Sequence, residues 1–288
     1  MKKCLLILAV VIVALCLALV GAQTGANIEA DKEAIVKAAL DYGDGFYSGA
    51  PERMERAIHP DLNKVVVSVP PKIGKTILGY STFSGLIEMT RAKLGYLDPA
   101  ARKIQAFALE VDDNVACAKV TSAQFNDFLQ LVKFDGQWKI VNVLWTFGPD
   151  SPGRLPFTGF DPEKEKPAIQ AAAMDYVEGT LAGDAARVER ALHLEACRAV
   201  VNVVPGTGKT AVSRTRYSSL VEPVRAKLNA QPPEKRQVDV RVVDIMDGMA
   251  FVRADSAFSS NYIQMNLVDG QWKIINILSR PRAAAVPR

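Results

Sequence analysis

The chain has 288 residues, 49% hydrophobic and 23% charged, which fits one to three globular domains and excludes a disordered or low-complexity protein. The formal net charge is only +4, part of it from Lys2 and Lys3. No dense basic stripe accompanies it, so no nucleic-acid partner is expected. Two histidines and four cysteines, unclustered, exclude a zinc site of the usual spacing, and neither metal nor cofactor is expected.

The chain opens with "MKK" and an uncharged apolar run reaching Ala22. A basic start, an apolar stretch and small residues at Val20 and Ala22 form an export signal cleaved after Ala22. The run is also long enough to serve as an uncleaved anchor. In both cases residues 1–22 precede the folded part, which is read as exported, periplasmic or secreted. Leu15 stands before Cys16 where a lipoprotein site needs a small residue. Cys117 and Cys197 lie in apolar contexts at non-equivalent positions of the chain and are read as free core thiols rather than a disulfide.

The rest of the chain carries one pattern twice. "DYGDGFYSGAPERMERAIH" from Asp41 returns as "DYVEGTLAGDAARVERALH" from Asp175, and "FDGQWKIVNVL" returns as "VDGQWKIINIL". Asp175 and Trp272 each lie 134 residues after their counterparts Asp41 and Trp138. A period this long means duplication of a whole domain rather than a solenoid unit. The copies are placed at 31–147 and 164–280, joined by a Pro- and Gly-rich linker at 148–163 and followed by a tail at 281–288.

Each copy predicts the same order of elements. Ile35, Ala38, Ala39, Tyr42 and Phe46 share one face of a first helix. A short second helix starts at Pro51, a residue suited to the first helical position. A strand comes next ("KVVVSV", or "RAVVNVV" in the second copy), then a third helix over 81–94 or 215–228. Four strands close the copy, the last two joined by Asp-Gly, a hairpin signal. Helices first and an antiparallel meander last define an α+β domain, with a curved, mainly antiparallel sheet wrapped on about three helices. In "QWKIVNVLW" strict alternation places Trp138, Ile140, Asn142 and Leu144 on one face and Lys139, Val141, Val143 and Trp145 on the other. Both faces are largely apolar. One should meet the helices and the other the sheet of the second copy, giving an intramolecular pseudo-dimer.

"VVPGTGKT" at 203–210 resembles a phosphate-binding loop. Such a loop reads G-x-x-x-x-G-K-[ST], and its first glycine turns the backbone under the phosphates. Val203 stands at that place, and Val69 in the first copy's "VSVPPKIGKT". Pro205 and Pro71 also remove N–H groups. The stretch is therefore read as a strand-to-helix loop, with no nucleotide bound.

The order of elements, with Tyr42, Gly45, Gly49, His59-Pro60 and "NDFLQLVKFDGQWKIVNVLW", resembles the nuclear transport factor 2-like superfamily. Within it the likeness is to the group named putative lumazine-binding proteins. Tyr176, Gly179, Gly183, His193 and "NYIQMNLVDGQWKIINIL" carry it in the second copy, which departs at Leu194. The resemblance implies cone-shaped, cystatin-like domains with a pocket at the open end. It implies little about activity, because relatives include isomerases, polyketide cyclases, dehydratases and binding modules.

Candidate site residues are few. Tyr42 and Tyr176, on the helix face, and Asn142 and Asn276, polar on an apolar strand face, are the candidates for a ligand pocket. His59 and His193, with Asp61 and Glu195 two residues on, are weak candidates for acid–base work, and they suit equally a cap on the second helix's last carbonyls. No full set of base, acid and oxyanion donor can be assembled. The sequence thus reads as an exported, non-catalytic protein of two fused domains that holds a small apolar or aromatic ligand or acts in protein interaction. The alternative is an isomerase, cyclase or dehydratase using a cone histidine.

Overall fold

A computed structural model describes residues 27–70, 72–151 and 160–282. The expected signal or anchor at 1–22 lies outside the described residues, as do Pro71, residues 152–159 of the linker and 283–288 of the tail. No described helix is long and apolar enough to cross a membrane.

The first copy runs α1 (27–48), α2 (Pro51–Ala57), β1 (Ile58–Ser68), β2 (Ile77–Ser81), α3 (Phe83–Arg91), β3 (Gln105–Asp112), β4 (Val115–Thr121), β5 (Phe125–Phe134) and β6 (Gln137–Phe147). The second runs α4 (Pro162–Ala182), α5 (Ala185–Ala191), β7 (Leu192–Val203), β8 (Thr210–Arg216), α6 (Tyr217–Arg225), β9 (Val238–Met246), β10 (Met249–Ser256), β11 (Ser259–Val268) and β12 (Gln271–Pro281). Each copy folds one six-stranded sheet, in the orders β2-β1-β6-β5-β4-β3 and β8-β7-β12-β11-β10-β9. β1–β6 and β7–β12 are parallel and the other pairs antiparallel. The Asp135-Gly136 and Asp269-Gly270 turns have positive φ at both residues, as a tight I′ hairpin requires.

Three elements depart from the sequence expectation. The strand after α2 is longer than expected and begins at Ile58 directly from the helix. A second short strand, β2 or β8, returns antiparallel to it. The third helices are correspondingly shorter. "VVPGTGKT" is thus a hairpin loop, with Val203 opposite Thr210, not a strand-to-helix connection. Its amides close the hairpin, Val204 N–H donating to Lys209 O, rather than pointing from a helix end.

Each helical layer packs on one face of its sheet. In the first copy Ile35, Ala39, Tyr42, Met54, Leu131, Trp138 and Ile140 share that core, and Ile169, Tyr176, Val188, Met265, Trp272 and Ile274 share its counterpart. A third cluster joins the copies through the outer faces of both sheets. It combines Val65, Val67, Phe128, Val141 and Leu144 with Ala199, Val201, Phe251, Tyr262, Ile275 and Leu278. Phe128 and Phe251 meet edge to face at 5.6 Å across it. Cys117 also lies in this cluster, and both Cys117 and Cys197 are buried and free.

Strict alternation along the last strand fails for one reason. Gln130 pairs with Asn142 but Leu131 with Ile140, so Val141 is an extra residue in β6; Ile275 is the extra residue in β12. A bulge shifts the side-chain parity by one. Trp138 and Ile140 face the helices. Asn142 and Leu144 face the other copy, and Val143 and Trp145 return to the helix side.

The bulged asparagines anchor two related networks between the sheets. Gln130 Nε2 donates to Tyr262 O at 2.8 Å, and Asn142 Nδ2 to Gln130 Oε1 at 2.6 Å. Arg214 Nη1 reaches Asn142 Oδ1 at 2.7 Å. Conversely Gln264 Nε2 donates to Phe128 O at 2.7 Å, Asn276 Nδ2 to Gln264 Oε1 at 2.9 Å, and Asn63 Nδ2 to Asn276 Oδ1 at 2.7 Å. At the interface margins each Gly-Lys-Thr loop touches the other copy's Asp-Gly hairpin. Thr76 Oγ1 donates to Asp269 Oδ1 at 2.8 Å, and Lys209 lies 3.5 Å from Asp135. The motif that imitates a phosphate loop is a clasp between copies.

Candidate functional site

The first copy holds a cavity of about 200 Å³ between the helices and the concave face of its sheet. Phe46 and Tyr47 come from α1, Met54 from α2, Leu86 from α3, Phe125 from β5 and Trp145 from β6. Phe125 organises the aromatic wall: it meets the Trp145 ring at 5.2 Å and the Phe46 ring at 5.9 Å edge to face, and stacks on Tyr47 at 6.0 Å. Rings so arranged form a stiff apolar surface. Gly95 makes room for it, because a Cβ there would stand 2.0 Å from Phe46 Cε1.

One polar cluster interrupts this wall. Tyr42 Oη donates to Asp127 Oδ1 at 2.8 Å, and Lys64 Nζ approaches the same oxygen at 3.2 Å while also donating to Tyr42 Oη. Lys64 Nζ lies 4.9 Å from the centre of the Tyr42 ring and 4.7 Å from that of Trp145. All three side chains are over 90% buried. Such a buried pair persists only when its charges are matched and hydrogen-bonded. Burial, reinforced by Asp127, holds the Tyr42 hydroxyl well above the usual phenol range, so it is a donor at neutral pH. Burial also lowers Lys64 below the usual lysine value, with Asp127 acting in the opposite direction. Trp145 Nε1 is buried without an acceptor, a cost of about 1–3 kcal/mol for an amide-like donor.

The second copy does not repeat the cluster. Lys64 is replaced by Arg198, Asp127 by Asn261 and Trp145 by Ser279, while Tyr176 is kept. Asn261 Oδ1 accepts from Ser279 Oγ at 2.6 Å, and Arg198 Nε is buried with no acceptor. Phe46, Tyr47 and Phe125 become Thr180, Leu181 and Ser259, so the aromatic wall is missing as well. Asn229 stands where Gly95 clears space for Phe46.

Of the sequence candidates, Tyr42 lies in the cavity and Tyr176 is buried in the second helical core. Asn142 and Asn276 are not pocket residues. The bulges turn them into the interface between the copies, where both are fully buried. His59 and His193 are not in the cavity wall either. They stand in β1 and β7, just past the second helix of each copy, and each Nδ1 accepts the N–H of the residue two on, Asp61 or Glu195, at 3.1 Å. His59 stacks on Phe134 at 4.3 Å. Burial lowers both histidines, partly offset by Asp61 and Glu195, which suits rings that accept rather than donate. The helix-capping role falls to lysines instead: Lys139 Nζ donates to Arg56 O and Lys273 Nζ to Arg190 O, both at 2.6 Å. Asp61 and Glu195 are exposed, and Glu195 accepts from Tyr80 of the other copy at 2.7 Å. Asp41 and Asp175 turn away from the cores to hold Arg53 and Arg56, and Arg187 and Arg190.

Sequence reasoning missed Lys64 and Asp127. Each is a charge beside apolar residues of its strand, and each differs between the copies. Both facts were readable, but not that two residues 63 apart meet. No group of His, Cys, Asp and Glu suited to a metal occurs among the described residues.

The chain is similar over part of its length to several solved structures. A nuclear transport factor 2-like protein of unknown function from Shewanella baltica is 19% identical, with 41% of this chain and 93% of that one aligned and a TM-score of 0.34. One from Methylobacillus flagellatus is 24% identical (40% and 90% aligned, TM-score 0.31). One with a cystatin-like fold from Novosphingobium aromaticivorans is 14% identical (46% and 92%, TM-score 0.35). No curated protein matches. The family model described as "Putative lumazine-binding" matches residues 30–146 and again 164–278, most of the chain, so this protein belongs to that family and carries two tandem copies of its domain.

Proposed function

We propose that the protein binds a small, largely apolar molecule in the cone of its first copy, without chemical turnover, and that the second copy serves mainly as the partner that completes the fold. The observation that carries this is the asymmetry of two otherwise parallel copies. The first keeps a cavity of about 200 Å³ with an aromatic wall and one buried polar cluster. The second replaces both the wall and two of the three cluster residues. Pockets for small ligands have this composition, mostly apolar with a few fixed polar groups. The sheet-to-sheet contact makes the pair an intramolecular counterpart of a dimer. The apolar N-terminal sequence supports export, by cleaved signal or anchor.

A second reading, acid–base catalysis, has one observation in its favour: Tyr42, Lys64 and Asp127 in mutual contact. It is the weaker one because Asp127 Oδ1 already accepts from both partners, and neither histidine reaches the cavity. Mass spectrometry of small molecules released from the purified protein tests the proposal. A compound should come from the wild type and be lost from Met89→Trp, which fills the cavity. An empty wild-type cavity that also takes up no aromatic probe refutes binding. A probe recovered chemically altered refutes the non-catalytic part.

A further inference from the structure

Resting on that ligand-binding reading, we infer that the first cone selects a neutral ligand, a flat apolar body ending in a carbonyl such as a ketone, lactone or quinone, and that Asp127 is the residue that excludes anionic analogues. Charge decides the selection. Lys64 and Asp127 are the charged side chains in the cavity wall. They sit 3.2 Å apart, both over 90% buried. Wherever their shared proton resides, on nitrogen or on oxygen, the pair sums to zero. The Tyr42 hydroxyl adds no charge. A carboxylate brought into this cavity would lose its water and meet a cation already satisfied by Asp127, so its desolvation would go uncompensated. A neutral carbonyl faces no such cost. It needs only a donor, and with the proton on nitrogen Lys64 has three N–H bonds, of which Tyr42 Oη and Asp127 Oδ1 engage two.

The second copy shows that the fold does not require the carboxylate. The Nε of its equivalent cation, Arg198, is buried with no acceptor, and Asn261 stands in place of Asp127. An arginine stays charged under all ordinary conditions. The same scaffold thus carries an unmatched cation in one cone and a matched one in the other. Retaining Asp127 in the copy whose cavity has the aromatic wall points to selection of ligand rather than to a need of the fold.

Two probes of nearly equal shape separate the charge effect from size: 2-acetylnaphthalene, a neutral ketone, and 2-naphthoate, its carboxylate analogue. Equilibrium dialysis with the full-length protein measures both directly. The wild type should bind the ketone at least about tenfold tighter than the carboxylate. Asp127→Asn, which leaves Lys64 unmatched as in the second copy, should shift that ratio at least about tenfold toward the carboxylate. Lys64→Met gives an independent arm: with Asp127 alone in the wall, exclusion of 2-naphthoate should persist. Preference of the wild type for 2-naphthoate, or an unchanged ratio in Asp127→Asn, overturns the inference while the cavity reading stands. Failure of both probes to bind overturns the cavity reading, and the inference falls with it.

Discussion

Replacing Gln130 by leucine tests whether the polar networks between the sheets hold the two copies together. Gln130 is fully buried. It donates to Tyr262 O at 2.8 Å and accepts from Asn142 Nδ2 at 2.6 Å. Leucine roughly keeps the volume, so the loss is polar. Two hydrogen bonds go at about 1 kcal/mol each, and a buried Asn142 amide is left without its acceptor at about 1–3 kcal/mol, for a total of roughly 3–5 kcal/mol. Urea unfolding followed by circular dichroism reads this directly. With a slope near 3 kcal/mol/M the midpoint should fall by about 1–1.7 M. The double variant Gln130→Leu/Asn142→Leu removes the stranded amide as well. It should therefore be more stable than the sum of the two single effects by about 1–2 kcal/mol. Arg214, the other partner of Asn142, keeps Val141 O at 2.7 Å and Asp61 O at 2.9 Å in that variant. A single-variant loss under about 0.5 kcal/mol, or strict additivity in the double, would refute the idea that these amides form one coupled network.

Lys64→Met strands Asp127 in the cavity wall and should cost about 3 kcal/mol, with most of it recovered by Lys64→Met/Asp127→Leu, checked by thermal unfolding. Gly95→Ala must push Phe46 aside, since the new Cβ would stand 2.0 Å from that ring; about 1–3 kcal/mol of stability should be lost and the cavity reshaped, whereas the wider Thr180 site of the second copy should tolerate Asn229→Ala. On acidification stability should fall in two stages, measured as urea midpoints across pH. His59 and His193 are lowered in the folded state by burial, so the unfolded chain takes up protons first and stability drops as pH falls below the ordinary histidine range. Burial alone would raise Asp41 and Asp175, but their arginine partners outweigh it and hold both lower; their contribution is present above the ordinary aspartate range and lost as pH falls through the lowered values. Asp41→Asn should flatten the second stage, and an unchanged acid limb would count against the arginine pairing.

Much of this architecture was legible in the sequence because it depends on local chemistry. The helical spacing of Ile35, Ala39 and Tyr42, Pro51 at a helix start, and the Asp-Gly turns are properties of short segments, and the 134-residue repeat made every reading available twice. Comparison of the copies also argued against the nucleotide reading of "VVPGTGKT", since the valine at its decisive place recurs. Only the tertiary structure decided where polar side chains go. A single extra residue in β6, Val141, reverses the parity of everything after it, so Asn142 leaves the cone for the interface and Trp145 enters the cavity. Nothing in "KIVNVLW" marks that bulge, because it is set by the pairing with β5. Likewise Lys64 and Asp127 meet only because β1 and β5 flank the same strand, β6. The sequence therefore determined the elements and their duplication, which local interactions control. The cavity, its matched charges and the clasp between copies depend on register and on contacts between distant residues, which only the packed chain supplies.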